Sequence, residues 1–418
     1  MKKESSTHPI AIIGAGPVGL AAAAHLIERG LTPVVLESGS RVADHFRQYA
    51  HVRLFSPWRY NLDQAAIRLL LKSGHWTPPD LEALPTAGEM LEHYLEPLAA
   101  LPEVARTLRL SARVTAISRQ GFDKVKTKGR EHSPFVLRYT DSTGATNEVL
   151  ARAVIDASGT WSQPNPLGAN GLPAFGEAEN QSHIFYGIPD ILGADRARYA
   201  GRRVLVVGSG HSAANSLLAL AQLPETQIVW ALRGNDLSRV FGGGTADVLP
   251  GRGQLGSSLR TLQERGGLEL VTNFGITKIE SNGPTLAAVS DSARITGVDE
   301  IIAATGQRPD YSIASELRLK LDPWLESSEA LGPLIDPNLH SCGTVRPHGH
   351  RELSHPETGF YVAGTKSYGR APTFLMATGY EQVRSIVAAL AGDVGAAENV
   401  NLILPETGVC NTQAGGCC

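Results

Sequence analysis

Ile10-Ala11-Ile12-Ile13-Gly14-Ala15-Gly16-Pro17-Val18-Gly19 is the stretch whose reading decides the fold. An apolar run of strand length leads into three glycines spaced G-x-G-x-x-G, and an alanine- and leucine-rich helical pattern follows. In that strand–turn–helix setting the glycines permit a tight turn and let the backbone approach a pyrophosphate, whose charge rests on the helix N-terminus. One such string is weak evidence in a chain with 44 glycines. A second stands at Gly208-Ser209-Gly210-His211-Ser212-Ala213, again after an apolar run, Val204 to Val207, and again before a helical pattern. Two such turns imply two dinucleotides, and two dinucleotides imply electron transfer between them.

Downstream residues separate the two sites. The strand predicted after the first helix, Pro33 to Leu36, ends at Glu37, 18 residues beyond Gly19. A carboxylate there accepts hydrogen bonds from a free ribose and repels a 2′-phosphate. The equivalent strand of the second unit, Gln227 to Leu232, ends at Arg233, with Arg239 close behind. A guanidinium at that place grips a 2′-phosphate, which favours NADPH over NADH.

Working outward, residues 41–85 read as irregular, and Thr86 to Glu89 as a capping box opening a helix. Alternation over 108–116, 135–139 and 149–157 predicts strands, the last ending in Asp156-Ala157-Ser158-Gly159. Pro164 to Gln181 reads as a linker. The second unit repeats the first: strand 204–207, helix 212–222, strand 228–232, short strands near 268–272, 276–280 and 285–290, and a closing strand ending Ala304-Thr305-Gly306. Gly359 to Gly364 predicts a final buried strand and Thr378 to Leu390 a helix. The fold class expected is α/β: two nested Rossmann-like domains with central parallel sheets and β-meanders. Residues 1–165 and 305–395 would form one discontinuous dinucleotide-binding domain, 166–304 an inserted second one, and 396–418 a cysteine-bearing tail.

Composition narrows the class. A formal charge of −3 gives no reason to expect nucleic acid or an anionic membrane. Lys2-Lys3 before the apolar stretch imitates a signal peptide, but the fingerprint glycines and Glu28-Arg29 favour a buried strand and helix. Of four cysteines, Cys410, Cys417 and Cys418 crowd the end, so no disulfide framework is implied and a reducing cytoplasm is the default.

The chain resembles two-dinucleotide flavoproteins, the flavin-containing monooxygenases and thioredoxin-reductase-like enzymes. The resemblance rests on Gly14–Gly19, Glu37, Ser158-Gly159, Gly208–Ala213, Thr305-Gly306 and Tyr361–Gly364, and it covers nearly the whole chain. Val52 to Trp58, Lys366 to Pro372 and the cysteine-bearing tail resemble flavin-dependent monooxygenases of arsenic-resistance gene clusters. The resemblance implies FAD contacts at Gly14, Gly16, Pro17, Gly19, Glu37, Ser38, Val114, Ser158, Gly159, Gly364 and Gln382. It implies NADPH contacts at Gly208, Ser209, Gly210, His211, Ser212, Ala213, Arg233, Thr305 and Gly306. Three departures bear on the reaction. The F-x-G-x-x-x-H signature is out of register around Phe175-Gly176 and His183, Ser38-Gly39-Ser40-Arg41 replaces G-G-x-W, and Gly364-Thr365 replaces Gly-Asp.

No C-x-x-C or C-x4-C occurs before residue 410, which removes thioredoxin reductase itself. A flavin monooxygenase asks less of the protein: NADPH reduces FAD, oxygen adds to give a flavin hydroperoxide, and a small molecule is oxygenated. The alternatives are a flavin-dependent reductase whose Cys410, Cys417 and Cys418 pass electrons to a disulfide or hold a thiophilic metalloid, and a redox-sensing flavoprotein without turnover. Leu404 to Gly408 and Cys417-Cys418 imitate sortase and prenylation signals, without the flanking features those need. His340, His348, His350 and His355, with Cys342, fit no zinc spacing and are expected as a polar loop lining the flavin. No metal is expected.

Overall fold

The computed structural model describes residues 8–400 apart from 243, 245–246, 248, 340–347 and 373. Two five-stranded parallel sheets organise it. The first takes β1 (Ile10–Ile13), β2 (Pro33–Leu36) and β3 (Leu108–Arg109). An antiparallel meander of β4 (Arg113–Arg119), β5 (Phe135–Thr140) and β6 (Thr146–Ala151) follows, and β7 (Ala153–Asp156) returns to the sheet. The second holds β8 (Ile184–Tyr186), β9 (Arg203–Val207), β10 (Gln227–Ala231) and β11 (Glu269–Val271). Its own meander, β12 (Lys278–Asn282), β13 (Thr285–Val289) and β14 (Arg294–Val298), precedes β15 (Glu300–Ala303), and β16 (Phe360–Val362) ends in the first sheet. The orders are β16-β7-β1-β2-β3 and β11-β10-β9-β15-β8. Every pairing within these two sheets is parallel.

Helix α1 (Pro17–Glu28) buries every residue from Pro17 to Leu26, because the sheet covers one side and other helices the rest. Its Ala21 to Ala24 run lets the helix Met376–Leu390 and α3 (Gln64–Lys72) approach closely. Burial of His25 is matched by Asp63, 2.9 Å away, whose other oxygen caps α3. Glu357 ties the first meander to β16 by accepting from Arg119 at 2.8 Å and Arg130 at 2.9 Å, all three buried.

The structure alters several sequence expectations. Residues 41–85 contain α2 (Asp44–Gln48) and α3 rather than irregular chain. The run 108–116 breaks at Ser111, whose φ of 52° turns the chain from β3 into β4. The run 149–157 divides at Arg152, which hydrogen-bonds Pro9 and passes the chain from meander to parallel sheet. β8 lies just after the predicted linker, and β14 and the helix Pro250–Glu264 occur where no element was predicted. The capping box at Thr86 and Glu89 is present, though its helix passes through a π turn at Leu91–Leu95. No helix among the described residues is long and apolar enough to cross a membrane.

Candidate dinucleotide clefts

The three glycines of the first turn do different work. Gly14 has φ +93°, and a Cβ there would meet Ala157 O of the neighbouring strand end at 2.8 Å. A Cβ on Gly19 would fall 1.9 Å from Gly14 O, so this glycine lets α1 sit against its own turn. Gly16 is different: φ −75° and ψ −175° suit any residue, and nothing lies within 4 Å of a Cβ built there. Neither conformation nor packing calls for glycine at Gly16. What remains is a ligand that must come close to the backbone, as a pyrophosphate does.

That face opens into a cleft of about 390 Å³, within the size range of small-molecule sites. Gly14, Gly16, Pro17, Glu37, Ser38, Val114, Ser158, Gly159 and Gly364 all line it. Glu37 is 8% exposed, and it accepts Ala15 N–H on one oxygen and Gly39 N–H on the other, each at 2.7 Å. The carboxylate therefore holds the glycine turn while facing the cleft. Two predicted contacts lie behind it. Gly19 packs on Gly14, and buried Gln382 accepts Gly364 N–H at 2.9 Å while donating to Ser367 Oγ at 2.8 Å.

Sequence reasoning assigned no role to Asp156, Tyr49, Trp161 or Lys366, which the fold brings to this region. Lys366 is 2% exposed, donates to Asp156 Oδ2 at 2.6 Å and Ser158 Oγ at 3.2 Å, and contributes to the lining. Lys366 stood in a quoted motif without a chemical role, so only the fold reveals its partner. His348, by contrast, is buried against Gln382 and Tyr368, and His355 against Phe360. Neither these two nor His350 lines the cleft, contrary to the expected polar loop. His340 and Cys342 lie outside the described residues, as do Cys410, Cys417 and Cys418. Among the described residues no group of His, Cys, Asp and Glu is placed to hold a metal ion.

The second turn repeats the design. Gly208 has φ +130° and would place a Cβ 2.2 Å from Ala304 O, while Trp230 Nε1 donates to Gly208 O at 2.9 Å. Gly210, like Gly16, has φ −94° and ψ 178° with nothing within 4 Å of its Cβ direction, and it opens the helix His211–Leu220. Ser209 is exposed, Ser212 half-buried, and Ala213 fully buried where a third glycine would stand. The His211 ring packs 4.8 Å from Phe55, and burial, aided by Arg252, pushes its imidazole down to about 4. Arg233 is exposed and donates to Ala169 O at 3.2 Å. The side chain of Arg239 falls outside the described part. Thr305 and Gly306 join the two crossover segments: Thr305 Oγ1 donates to Asn165 O at 2.6 Å, and Asn165 N to Gly306 O at 2.9 Å.

Comparison with known proteins agrees with this architecture. Residues 11–341 match the pyridine nucleotide-disulphide oxidoreductase family. The fold resembles bacillithiol disulfide reductase from Bacillus cereus (TM-score 0.69, 17% identity, covering 92% of this chain and 99% of that one). It also resembles a Kutzneria ornithine N-hydroxylase solved with reduced FAD, NADP+ and ornithine (TM-score 0.61, 17% identity, 92% and 99% covered). In sequence, indole-3-pyruvate monooxygenase YUCCA6 of Arabidopsis thaliana is 29% identical over 209 residues, 49% of this chain and 43% of that protein. YUCCA8 of Oryza sativa subsp. indica is 31% identical over 218 residues, 50% and 45%. The match thus spans less than half the length of these curated relatives. With a family match running from the first strand past the second sheet, the chain belongs to the pyridine nucleotide-disulphide oxidoreductase family.

Proposed function

We propose that this chain is an FAD- and NADPH-dependent oxidoreductase, and that it oxygenates a small molecule using molecular oxygen. The observation that carries the reading is the pair Gly16 and Gly210, each glycine without a structural need for one, each at the N-terminus of a helix. In this reading the first sheet, with residues 1–165 and 305–395, holds FAD, and 166–304 hold NADPH. When bound, the flavin supplies hydride acceptance and oxygen activation. The protein's share is to seat the pyrophosphate on α1, hold the adenosine ribose with Glu37, and take the second nucleotide against Gly210 and Arg233.

Oxygenation is favoured over disulfide reduction because the sequence holds no C-x-x-C or C-x4-C pair before residue 410. Monooxygenases among the relatives support the same choice. We place the protein in the cytoplasm, and an organic amine, sulfide, ketone or organoarsenical is the substrate class, the last linking it to arsenic resistance. Stopped-flow reoxidation of NADPH-reduced holoprotein tests this. A transient absorbing between reduced and oxidised flavin is expected; direct reoxidation, with fast electron delivery to disulfides, overturns it.

A second reading, a reductase using Cys410, Cys417 and Cys418 as an electron shuttle or metalloid site, draws on the likeness to disulfide reductases. Full turnover after all three are changed to serine removes it. Bound cofactors without any turnover would leave a redox sensor.

A further inference from the structure

Strand order fixes the direction in which a dinucleotide crosses the first cleft. Glu37 follows β2 and Trp161 follows β7, and these strands flank β1 on opposite sides. If Glu37 holds the adenosine ribose and the Gly14–Gly16 turn the pyrophosphate, the rest of FAD extends past β1 toward β7 and β16. Trp161 lines the cleft at that end. The turn after Glu37, Ser38 to Arg41, brings no aromatic to it.

Trp161 is not loosely placed. Helix α2 starts from Ala43, an alanine held at φ 51° whose N–H donates to Ala15 O at 3.0 Å. Left-handed backbone is costly for a residue with a Cβ and tends to be kept where a site needs it. The conformation sends α2 across the cleft, so that a row of rings forms. Phe46 and Tyr49 lie 5.0 Å apart, and Tyr49 and Trp161 4.6 Å apart at 41°. The indole N–H donates to Gln48 Oε1 at 2.7 Å, fixing the plane of the ring. At the edge of its six-membered ring a Cβ at Gly187 would sit 3.6 Å from the indole Cη2, so the glycine leaves just ordinary contact distance. Phe46, Tyr49 and Trp161 are each half-buried and each line the cleft, unlike core aromatics such as Tyr94.

We propose that Trp161, braced by Tyr49 and oriented by Gln48, is the stacking wall for the isoalloxazine ring of FAD. The inference rests on the assignment of this cleft to FAD. A flat, electron-poor ring system offset against an indole gains contact area and a favourable quadrupole arrangement. An indole in contact with an excited flavin also donates an electron and takes it back, so stacking darkens the flavin.

The experiment compares FAD affinity and flavin fluorescence of holoprotein for wild type, Trp161→Leu, Trp161→Phe and Gln48→Leu, none of which needs turnover. Trp161→Leu is expected to weaken FAD binding about tenfold, as loss of one stacking partner does, and to brighten the bound flavin. Trp161→Phe should recover affinity and stay bright, because phenylalanine is too hard to oxidise. Gln48→Leu removes no cleft residue, so it reports even if Trp161→Leu misfolds; brighter flavin supports the wall. Wild-type affinity and fluorescence in folded Trp161→Leu and Gln48→Leu overturn the inference and leave the cleft assignment standing. Wild-type protein that binds no FAD overturns both.

Discussion

Lys366 Nζ lies 2.6 Å from Asp156 Oδ2, joining the turn after β16 to the end of β7 with both side chains out of water. Asp156 Oδ1 is also satisfied, by Ser158 N–H at 3.1 Å and Ser158 O–H at 2.6 Å. The pair fastens two turns that line the cleft. Breaking such a pair on one side strands a buried charge, whereas removing both charges costs far less. Lys366→Met should therefore destabilise the apoprotein by about 3–5 kcal/mol. Adding Asp156→Asn should recover more than half of that. Urea midpoints of the single and double variants decide it, and simple additivity would refute the coupling.

The fingerprint glycines make opposite predictions. Gly19→Ala must push a methyl group into Gly14 O, so stability and FAD binding fall together. Gly16→Ala meets no protein atom and no forbidden φ. It should stabilise the apoprotein by about 0.4–1 kcal/mol through the unfolded chain, yet weaken FAD binding because the methyl occupies the pyrophosphate's approach. Gly210→Ala should act likewise on the second site, raising the KM for NADPH while FAD stays bound. Thermal melts beside FAD titrations separate the cases; a Gly16→Ala protein with unchanged FAD affinity would falsify the ligand argument for that glycine.

What the sequence revealed and what it hid follow from the range of the interactions. The turns were readable because Gly14, Gly16, Gly19 and the helix after them are one local unit, and Glu37 closes the next strand. Lys366 and Asp156 stand 210 residues apart, and Trp161 and Gln48 stand 113 apart, so no window of sequence connects them. The helix Pro250–Glu264 was hidden by Gly251, Gly253 and Gly256, which read as turn residues. In the fold they serve contact. A Cβ at Gly253 or Gly256 would stand 2.0 Å from Gly244 O or Phe241 O, so the glycines seat the preceding loop on the helix. The resemblance makes Gln382 a cofactor contact, and the fold shows what no sequence window does, that its amide holds Gly364 from behind.

Glu37 holds the turn through Ala15 and, under the proposed assignment, takes the ribose, so its variants should lose affinity in steps. Glu37→Gln keeps one acceptor oxygen and weakens its hydrogen bonds from charge-assisted to neutral. Glu37→Ala leaves the Ala15 and Gly39 N–H groups without their acceptor. An FAD affinity loss of about tenfold for Gln, and clearly more for Ala, follows from the worth of hydrogen bonds to charged groups. Equilibrium FAD titration of the apoproteins measures it, and equal affinity in all three would remove Glu37 from the site.

The last prediction concerns acid stability. Burial pushes both His211 and His355 down to about 4, from an ordinary value near 6.5. Between those two pH values the unfolded chain binds more protons than the folded one, so stability rises with pH across this window. Above about 6.5 neither histidine penalises folding; as pH falls toward 4 each takes a proton far more readily in the unfolded chain than in the folded one. The loss reaches at most about 3 kcal/mol per histidine below pH 4. Unfolding midpoints should thus drop between pH 6.5 and 4, and His211→Asn, which cannot titrate, should flatten part of that slope. A His211→Asn protein with the wild-type slope would mean that the imidazole beside Phe55 is far better hydrated than its packing indicates.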